Sequence, residues 1–415
     1  MQNNLNSTWI KNINIVCQNL LIPTMIILLF LYNTAVNIWV NGRIETAQNI
    51  LAIVIVLVFI CNIFSNPKEN ITNWISDNKW IVLYFVARGV SLYLSGFDYS
   101  VIRTIFFELF LLVCITESLI KKNNSLYISI FVVLQSTFTF LSLLIFYIKD
   151  YIGEQFVSML YDMTYLEKCQ NALLFGNQNS AGIMAGFAVI IAIVKLKECR
   201  NNKFIPAIYG IFNIVVLLLF GCRSAEIGLL AVIVALIIIC IFKNISLKQI
   251  TVIALIIGAV SIIPLYGIME FEGGIDSLSF TETEEKIDRL STGRYVIWKE
   301  CAIEQQDSLL FGEGSLKLEQ AERNALFAGA TWEFREVKEL GPHNGYIAMM
   351  SCTGIIGYVL FFIILLDKVL RIKNRSSYWY LVLVFIFAIN CFENLFIVNR
   401  FFTSFYLFYI LEELK

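Results

Sequence analysis

The sequence predicts an all-α integral membrane protein with eleven or twelve transmembrane helices and one large extracytoplasmic loop between the ninth and tenth spans. Three observations lead to this prediction. Hydrophobic residues make up 58% of the 415 residues, charged residues only 15%, and the mean hydropathy is +0.73. The apolar residues form runs close to the ~20 residues that a helix needs to cross a bilayer. No barrel-type alternation is present, and helices satisfy their own backbone groups in lipid.

Twelve apolar runs can be distinguished, and the last is short enough to be a tilted or interfacial segment. In chain order they are Asn14–Ile38, Asn49–Phe64, Trp80–Leu94, Val101–Ile120, Leu126–Ile148, Ser180–Leu196, Phe204–Phe220, Ala225–Phe242, Ile250–Tyr266, Tyr346–Leu366, Tyr378–Phe396 and Phe401–Leu411. The chain then divides into an N-terminal bundle of about nine helices (1–266), a polar extracytoplasmic loop with short helices (267–341) and two or three C-terminal helices (342–415).

The basic residues of the connections predict the orientation. With a cytoplasmic N-terminus, the outer connections hold few of them, namely Arg43, Lys149, Lys168, Arg223 and Arg400. The inner connections hold many more: Lys68, Lys79, Lys121, Lys122, Lys195, Lys197, Arg200, Lys203, Lys243, Lys248, Lys368, Arg371, Lys373 and Arg375. This asymmetry follows the positive-inside rule and places the long polar segment outside the cytoplasmic membrane.

Composition and motifs argue against several classes of function. A net charge of −1 gives no field that would attract nucleic acid. The cysteines form neither a CxxC pair nor a Cys/His group, so we expect no metal site. The sequence GxxxxGK[ST] is absent, which argues against ATP-driven transport by this chain alone. No cofactor is predicted.

Charged residues inside apolar runs need partners or a function, because lipid solvates them poorly. Arg88, Arg103, Glu108 and Glu393 are in this position. They could pair inside the bundle, or they could line a pathway for an anion or a proton. Arg103 and Glu108 are five residues apart and do not share a helix face as i,i+4 pairs do. We therefore expect each to meet a partner on another helix.

Two arginines are predicted to lie at the outer face of the membrane, on the same side as the polar segment. Arg223 opens an apolar helix, where its charge is mildly unfavourable unless both it and the helix N-terminus bind one anion. Arg294 follows in the polar segment, which also contains the turn Phe311-Gly312-Glu313-Gly314. No GK[ST] follows that turn, so a simple turn is favoured over a phosphate loop. Each arginine could instead pair with a loop carboxylate such as Glu226 or Glu285.

The only histidine, His343, lies where the polar segment returns to an apolar run. An imidazole is the usual group that exchanges a proton near neutral pH. Pro342 restricts the backbone before it, and Gly345 allows a close approach after it. His343 is thus the candidate catalytic base, although a histidine that only bonds a loop carbonyl at a helix start would give the same pattern.

Four motifs follow one another along the chain. The residues are Gly176-Asn177-Gln178-Asn179-Ser180-Ala181-Gly182, Gly221-Cys222-Arg223-Ser224-Ala225, Thr292-Gly293-Arg294 with Trp298 and Leu310-Phe311-Gly312-Glu313-Gly314, and Pro342-His343-Asn344-Gly345-Tyr346 with Thr353-Gly354-Ile355-Ile356-Gly357. In this order they resemble the motifs of the superfamily of O-antigen ligases and Wzy-type O-antigen or capsular polysaccharide polymerases. These are its Asn-rich helix start, its S-R-G/A segment (here with Cys222 before the arginine), its GR…W…GxG stretch and its HNxYL…xGxxG ending.

The resemblance implies a glycosyltransferase of the bacterial cytoplasmic membrane that works at the outer face without metal or nucleotide sugar. Its donor would be a polyprenyl-diphosphate-linked oligosaccharide, with a flippase and a chain-length regulator as pathway partners. We expect His343 to be catalytic and Arg223 and Arg294 to bind the diphosphate, with Arg88 and Arg103 as further, deeper candidates. Guanidinium groups suit the negative charge that develops on a leaving diphosphate.

Other functions stay open at this point. A polymerase, which we favour, uses a second lipid-linked chain as acceptor, whereas a ligase uses a lipid, a protein or a wall polymer. A flippase or secondary transporter would also have many spans, but such proteins usually show internal repeats, and none is visible here. A membrane sensor or structural protein gives no reason for the ordered motifs.

Overall fold

The structure, a computed structural model, describes residues 11–40, 43–65, 67–114, 124–148, 174–175, 178–199, 201–263, 294–315, 343–374, 377–396 and 402–413. All regular secondary structure in these ranges is helical, which confirms the predicted all-α class for them. The helices are α1 (Lys11–Tyr32), α2 (Ala35–Trp39), α3 (Arg43–Ser65), α4 (Pro67–Asp77), α5 (Lys79–Leu94), α6 (Tyr99–Leu109), α7 (Asn124–Ile148), α8 (Gln178–Glu198), α9 (Phe204–Phe220), α10 (Arg223–Ile241), α11 (Leu247–Val260), α12 (Arg294–Glu304), α13 (Gly345–Arg371), α14 (Tyr380–Ile389) and α15 (Phe402–Glu413).

Six helices of the described ranges are long and apolar enough to cross a membrane: α1, α3, α7, α8, α10 and α13. The apolar helices α9, α11 and α14 are shorter. The protein is therefore a multi-pass membrane protein, while a total of eleven or twelve spans stays a prediction. So does the three-part division, because its boundaries near residues 266 and 341 lie outside the described residues. Of the polar segment, residues 294–315 are described; they form α12, a 3₁₀ turn and a glycine-containing turn.

Helices α8, α13 and α14 form the centre of the bundle. Burial covers 78% of the apolar window of α8 and 67% of that of α13, against 28% for α7 and α10. Every residue of α14 that bears an apolar side chain from Leu381 to Ile389 is buried or nearly so. Helix α14 packs on α10 and α11, and α13 packs on α5. The outward faces of α7, α9 and α10 carry exposed apolar side chains, as lipid-facing helices do.

Glycines allow α8, α10 and α14 to approach closely. A Cβ atom on Gly186 would lie 2.8 Å from the ring of Phe385, and one on Gly228 would lie 2.4 Å from Ile389. A Cβ atom on Gly182 would lie 2.1 Å from that of Cys222, the residue that precedes α10. Small residues permit such backbone contacts between membrane helices. The contacts bring the start of α10 against α8, beside the turn that follows α14.

Candidate functional site

The site is organised around Glu393, which lies in the turn after α14. Asn390 holds this turn: its side-chain oxygen accepts a hydrogen bond from the Leu395 amide at 2.9 Å. The Gly345 amide donates to the Asn390 carbonyl at 2.7 Å, and the Asn344 side chain donates to the Cys391 carbonyl at 3.1 Å. The turn is thus fastened to the start of α13, and a Cβ atom on Gly345 would lie only 2.0 Å from the Asn390 side-chain oxygen.

Four side chains from other parts of the chain surround the Glu393 carboxylate. Arg294 Nη2 donates to Oε1 at 3.0 Å, Asn179 Nδ2 donates to Oε1 at 2.9 Å, and Ser224 Oγ donates to it at 3.4 Å. His343 Nδ1 lies 3.4 Å from Oε2. We call these five residues the Glu393 cluster. The Glu393 side chain is 8% exposed, and its charge is tolerated there because Arg294 and these donors compensate it.

His343 is held in a special backbone conformation. Its φ angle is 45°, in the left-handed region that non-glycine residues seldom adopt. The next residue, Asn344, caps α13 by accepting hydrogen bonds from the amides of Tyr346 and Ile347. With Nδ1 facing the Glu393 carboxylate, the favoured tautomer carries its proton on Nδ1. Nε2 then presents a lone pair that can accept a proton, the arrangement of a general base oriented by a carboxylate.

Two helix N-termini meet at the Glu393 cluster. Ser224 is the second residue of α10, after the N-cap Cys222, and His343 directly precedes Asn344, the N-cap of α13. Each helix N-terminus acts as a partial positive charge of about +0.5. Together with the Arg294 guanidinium they place positive charge around the Glu393 carboxylate, an environment that favours binding of an anion.

Arg223 lies beside this cluster without joining it. It is the first residue of α10, and its side chain is exposed and has no partner among the described residues. Its neighbour Cys222 is buried, with Sγ 3.3 Å from Ser224 Oγ, and burial raises the pKa of the Cys222 thiol. The thiol therefore stays protonated. Of the two arginines described at the site, Arg294 pairs with Glu393, whereas Arg223 is available to bind a ligand.

The structure brings Arg294 and His343 together through Glu393, and it places the other two predicted arginines elsewhere. Arg88 is fully buried: Nε donates to Glu108 at 2.8 Å, and Nη1 and Nη2 donate to the carbonyls of Cys352 and Gly314. Arg103 pairs with Glu45 at 2.6 Å on a partly exposed surface. The prediction that Arg103 and Glu108 each pair with a different helix is confirmed. In the described part of the chain, no group of three His, Cys, Asp or Glu residues could hold a metal ion.

Sequence reasoning did not assign Glu393, Asn179 and Ser224 to the site. A signal existed for Glu393, because a carboxylate inside an apolar run needs a partner. Asn179 and Ser224 lie within motifs that read equally well as ordinary helix starts. Arg294 pairs with Glu393. Glu285, a loop carboxylate considered as its partner from the sequence, lies outside the described residues.

The middle of the chain matches a known family. Residues 208–362 match the profile of the family described as O-antigen ligase. Over this region, which is less than half of the chain, the sequence is similar to the O-antigen ligase family. The match supports the resemblance stated from the motifs, and the family it describes has glycosyltransferase-like activity of the ligase or polymerase type. No curated protein matches the chain.

The matched region contains part of the site. Arg223, Arg294 and His343 lie inside residues 208–362, whereas Asn179 and Glu393 lie outside them. Asn179 lies in α8, before the matched region in sequence, and Glu393 lies in the turn after α14, beyond that region. The O-antigen ligase segment is thus completed by residues on both sides of it.

Proposed function

We propose that the protein is a metal-independent membrane glycosyltransferase that polymerises polyprenyl-diphosphate-linked oligosaccharide repeat units at the outer face of the bacterial cytoplasmic membrane. In this reaction an acceptor hydroxyl attacks the anomeric carbon of the donor sugar. The new glycosidic bond forms as the bond to the diphosphate breaks. The hydroxyl proton goes to the enzyme, and the lipid diphosphate leaves with the bonding electrons.

The observation that carries the proposal is the meeting of His343 and Arg294 on one buried carboxylate, beside the N-termini of α10 and α13. The reaction needs a base for the acceptor and positive charge for the leaving group, and both lie within one cluster. The cluster also stands at the end of apolar helices, where a polyprenyl chain could remain in lipid while its diphosphate reaches polar groups.

In the proposed mechanism His343 Nε2 accepts the proton of the acceptor hydroxyl. Glu393 orients the ring through Nδ1 and stabilises the imidazolium that forms. Such an orienting carboxylate fixes the tautomer and is not itself protonated. The present 3.4 Å separation is long for a hydrogen bond, and catalytic contacts of this kind commonly shorten when substrate is bound.

Arg223 and Arg294 would bind the diphosphate. Arg223 is exposed at the opening of α10, where the helix N-terminus adds to its charge. Arg294 is paired with Glu393 and also donates to the Phe392 carbonyl, so it would exchange part of this pairing for a phosphate oxygen. A flippase that delivers the donor and a chain-length regulator would be partners in the same pathway.

A ligase is the second candidate, and the description of the matched family favours it. The same residues would then transfer a finished glycan to a lipid, protein or wall acceptor. A flippase or secondary transporter would not account for the match of residues 208–362 to the O-antigen ligase family. That match therefore favours glycosyl transfer over transport.

The test is complementation of a deletion strain with His343→Ala, with surface glycan sized by gel electrophoresis. Loss of a general base typically costs about 10²–10⁴ in rate, so we expect no measurable transfer at normal protein level in the membrane. Arg371→Gln, at the opposite end of α13, is the control and should complement. Near-normal glycan from His343→Ala would refute the proposal. In the deletion strain itself, single repeats on the surface indicate a lost polymerase, and undelivered long chains indicate a lost ligase.

A further inference from the structure

Helix α13 is interrupted at Gly354, and a turn of the polar segment fills the gap. Gly354 has φ 62° and ψ −177°, which breaks two helical hydrogen bonds. The carbonyls of Ser351 and Cys352 accept instead from the amides of Glu313 and Gly314, at 2.9 and 3.0 Å. The amides of Ile355 and Ile356 donate to the carbonyls of Leu309 and Leu310, at 2.9 and 3.2 Å. The two carbonyls and the two amides that the break leaves without helical partners are thus all paired with backbone groups of the turn 309–314.

This docking requires glycine on both surfaces. A Cβ atom on Gly312 would lie 2.4 Å from the Gly354 nitrogen, and one on Gly354 would lie 2.4 Å from the Leu310 carbonyl carbon. Both residues also have positive φ angles, 68° and 62°, where other residues are strained. The glycines of the two sequence motifs therefore serve one contact between the turn and the broken helix.

Arg88 of α5 fastens the turn to the break. Nη2 donates to the Gly314 carbonyl at 2.8 Å and Nη1 to the Cys352 carbonyl at 2.7 Å, so one guanidinium bridges the two backbones. Glu108 balances its charge at 2.8 Å, and both side chains are 0% exposed. Ser91, one helical turn further along α5, donates to the Phe311 carbonyl. All three guanidinium nitrogens of Arg88 donate to protein groups, and its side chain is buried. Arg88 is therefore better placed to hold the turn than to contact a lipid diphosphate.

The fastened turn connects the two reactive side chains. The turn continues from α12, which begins at Arg294, and the Gln305 side chain also donates to the Met350 carbonyl of α13. Helix α13 begins next to His343. We propose that Arg88 is a positioning residue that sets the distance between Arg294 and His343 by clamping the turn 309–314 into the break of α13. This inference rests on the proposed function and concerns a residue outside the matched region.

The decisive variant is Arg88→Met combined with Glu108→Gln. Removing Arg88 alone would leave a buried carboxylate uncompensated, whereas replacing both partners avoids that cost. The double variant lacks the donors to Gly314 and Cys352. We expect a folded protein in which the amides of residues 309–315 exchange hydrogen for deuterium faster. A small misplacement of reacting groups can cost ~10²-fold, so kcat should fall roughly 10- to 100-fold. The KM for the lipid-linked donor should change less than about threefold, because Arg88 does not touch the donor.

The control is Arg371→Met combined with Asp367→Asn, which removes an ion pair of 2.9 Å at the other end of α13. This control should change neither the exchange of residues 309–315 nor kcat. In an Arg294→Lys background, the Arg88/Glu108 double variant should lower kcat by less than its effect in wild type, because both act on the same guanidinium.

Three results would overturn the inference. They are unchanged exchange with unchanged kcat, a rise in KM alone (which would mean direct donor binding), or fully multiplicative losses with Arg294→Lys. Failure of the proposed function would look different: Arg294→Lys alone would then keep normal turnover. In that case faster exchange in the double variant would still report the clamp, but its role in positioning catalytic groups would be refuted.

Discussion

Replacing Glu393 by glutamine is the sharpest perturbation of the site. The substitution Glu393→Gln keeps the shape of the side chain and removes its charge. The carboxylate pairs with Arg294 at 3.0 Å and lies 3.4 Å from His343 Nδ1. Proton transfer to Nε2 creates an imidazolium, and Glu393 is the described carboxylate in contact with it. The variant should therefore raise the energy of the transition state more than that of the bound ground state.

The size of the effect follows from the distance and the exposure. Two unit charges separated by 3.4 Å attract by about 1.2 kcal/mol at the dielectric constant of water and by about 5 kcal/mol at an effective value of about 20. The Glu393 side chain is 8% exposed and that of His343 is 36% exposed, so an intermediate value of about 3 kcal/mol is appropriate. Since about 1.4 kcal/mol corresponds to a tenfold change, kcat should fall by roughly 10²-fold.

The assay is single-turnover glycan transfer by purified protein in lipid nanodiscs, with the lipid-linked donor at saturation. Asp367→Asn, which removes a carboxylate from the ion pair with Arg371, is the matched control and should keep normal turnover. If Glu393→Gln retains kcat within about twofold of wild type, the carboxylate has no part in the proton transfer. If the variant instead fails to reach the membrane, the role of Glu393 is structural.

Two further predictions follow from the fold. Gly354→Ala should lower the thermal unfolding temperature. The backbone conformation of Gly354 costs other residues about 1–3 kcal/mol, and the added Cβ would lie 2.4 Å from the turn. The control is Gly89→Ala, which should keep or raise stability because no atom lies within 4 Å of the added Cβ. The orientation predicts that a cysteine at the exposed Tyr99 reacts with an impermeant maleimide in intact cells, on a background without other reactive cysteines, whereas one at Lys243 is protected. The reverse labelling pattern would contradict the predicted orientation and would place the site at the cytoplasmic face.

The hydrophobic pattern determined much of the architecture. Apolar runs of about 20 residues without strand alternation are stable in lipid as helices, because a helix pairs its backbone groups within its own segment. The six long described helices coincide with such runs. The residue types and motifs of the sequence also marked His343 as the sole imidazole and Arg294 as a candidate cation, and the structure brings these two residues to one carboxylate.

Tertiary packing alone decided which partner each charge would take. Glu393 could be recognised from sequence as a charge that needed a partner, but its contact with His343 spans 50 positions and depends on glycine contacts among α8, α10 and α14. Likewise, the helical spacing rule separated Arg103 from Glu108, yet it could not indicate that Glu108 would meet Arg88. Local periodicity fixes which residues share one helix face, whereas ion pairs between helices depend on how those helices cross, and the crossing is set by side-chain shape over the whole bundle.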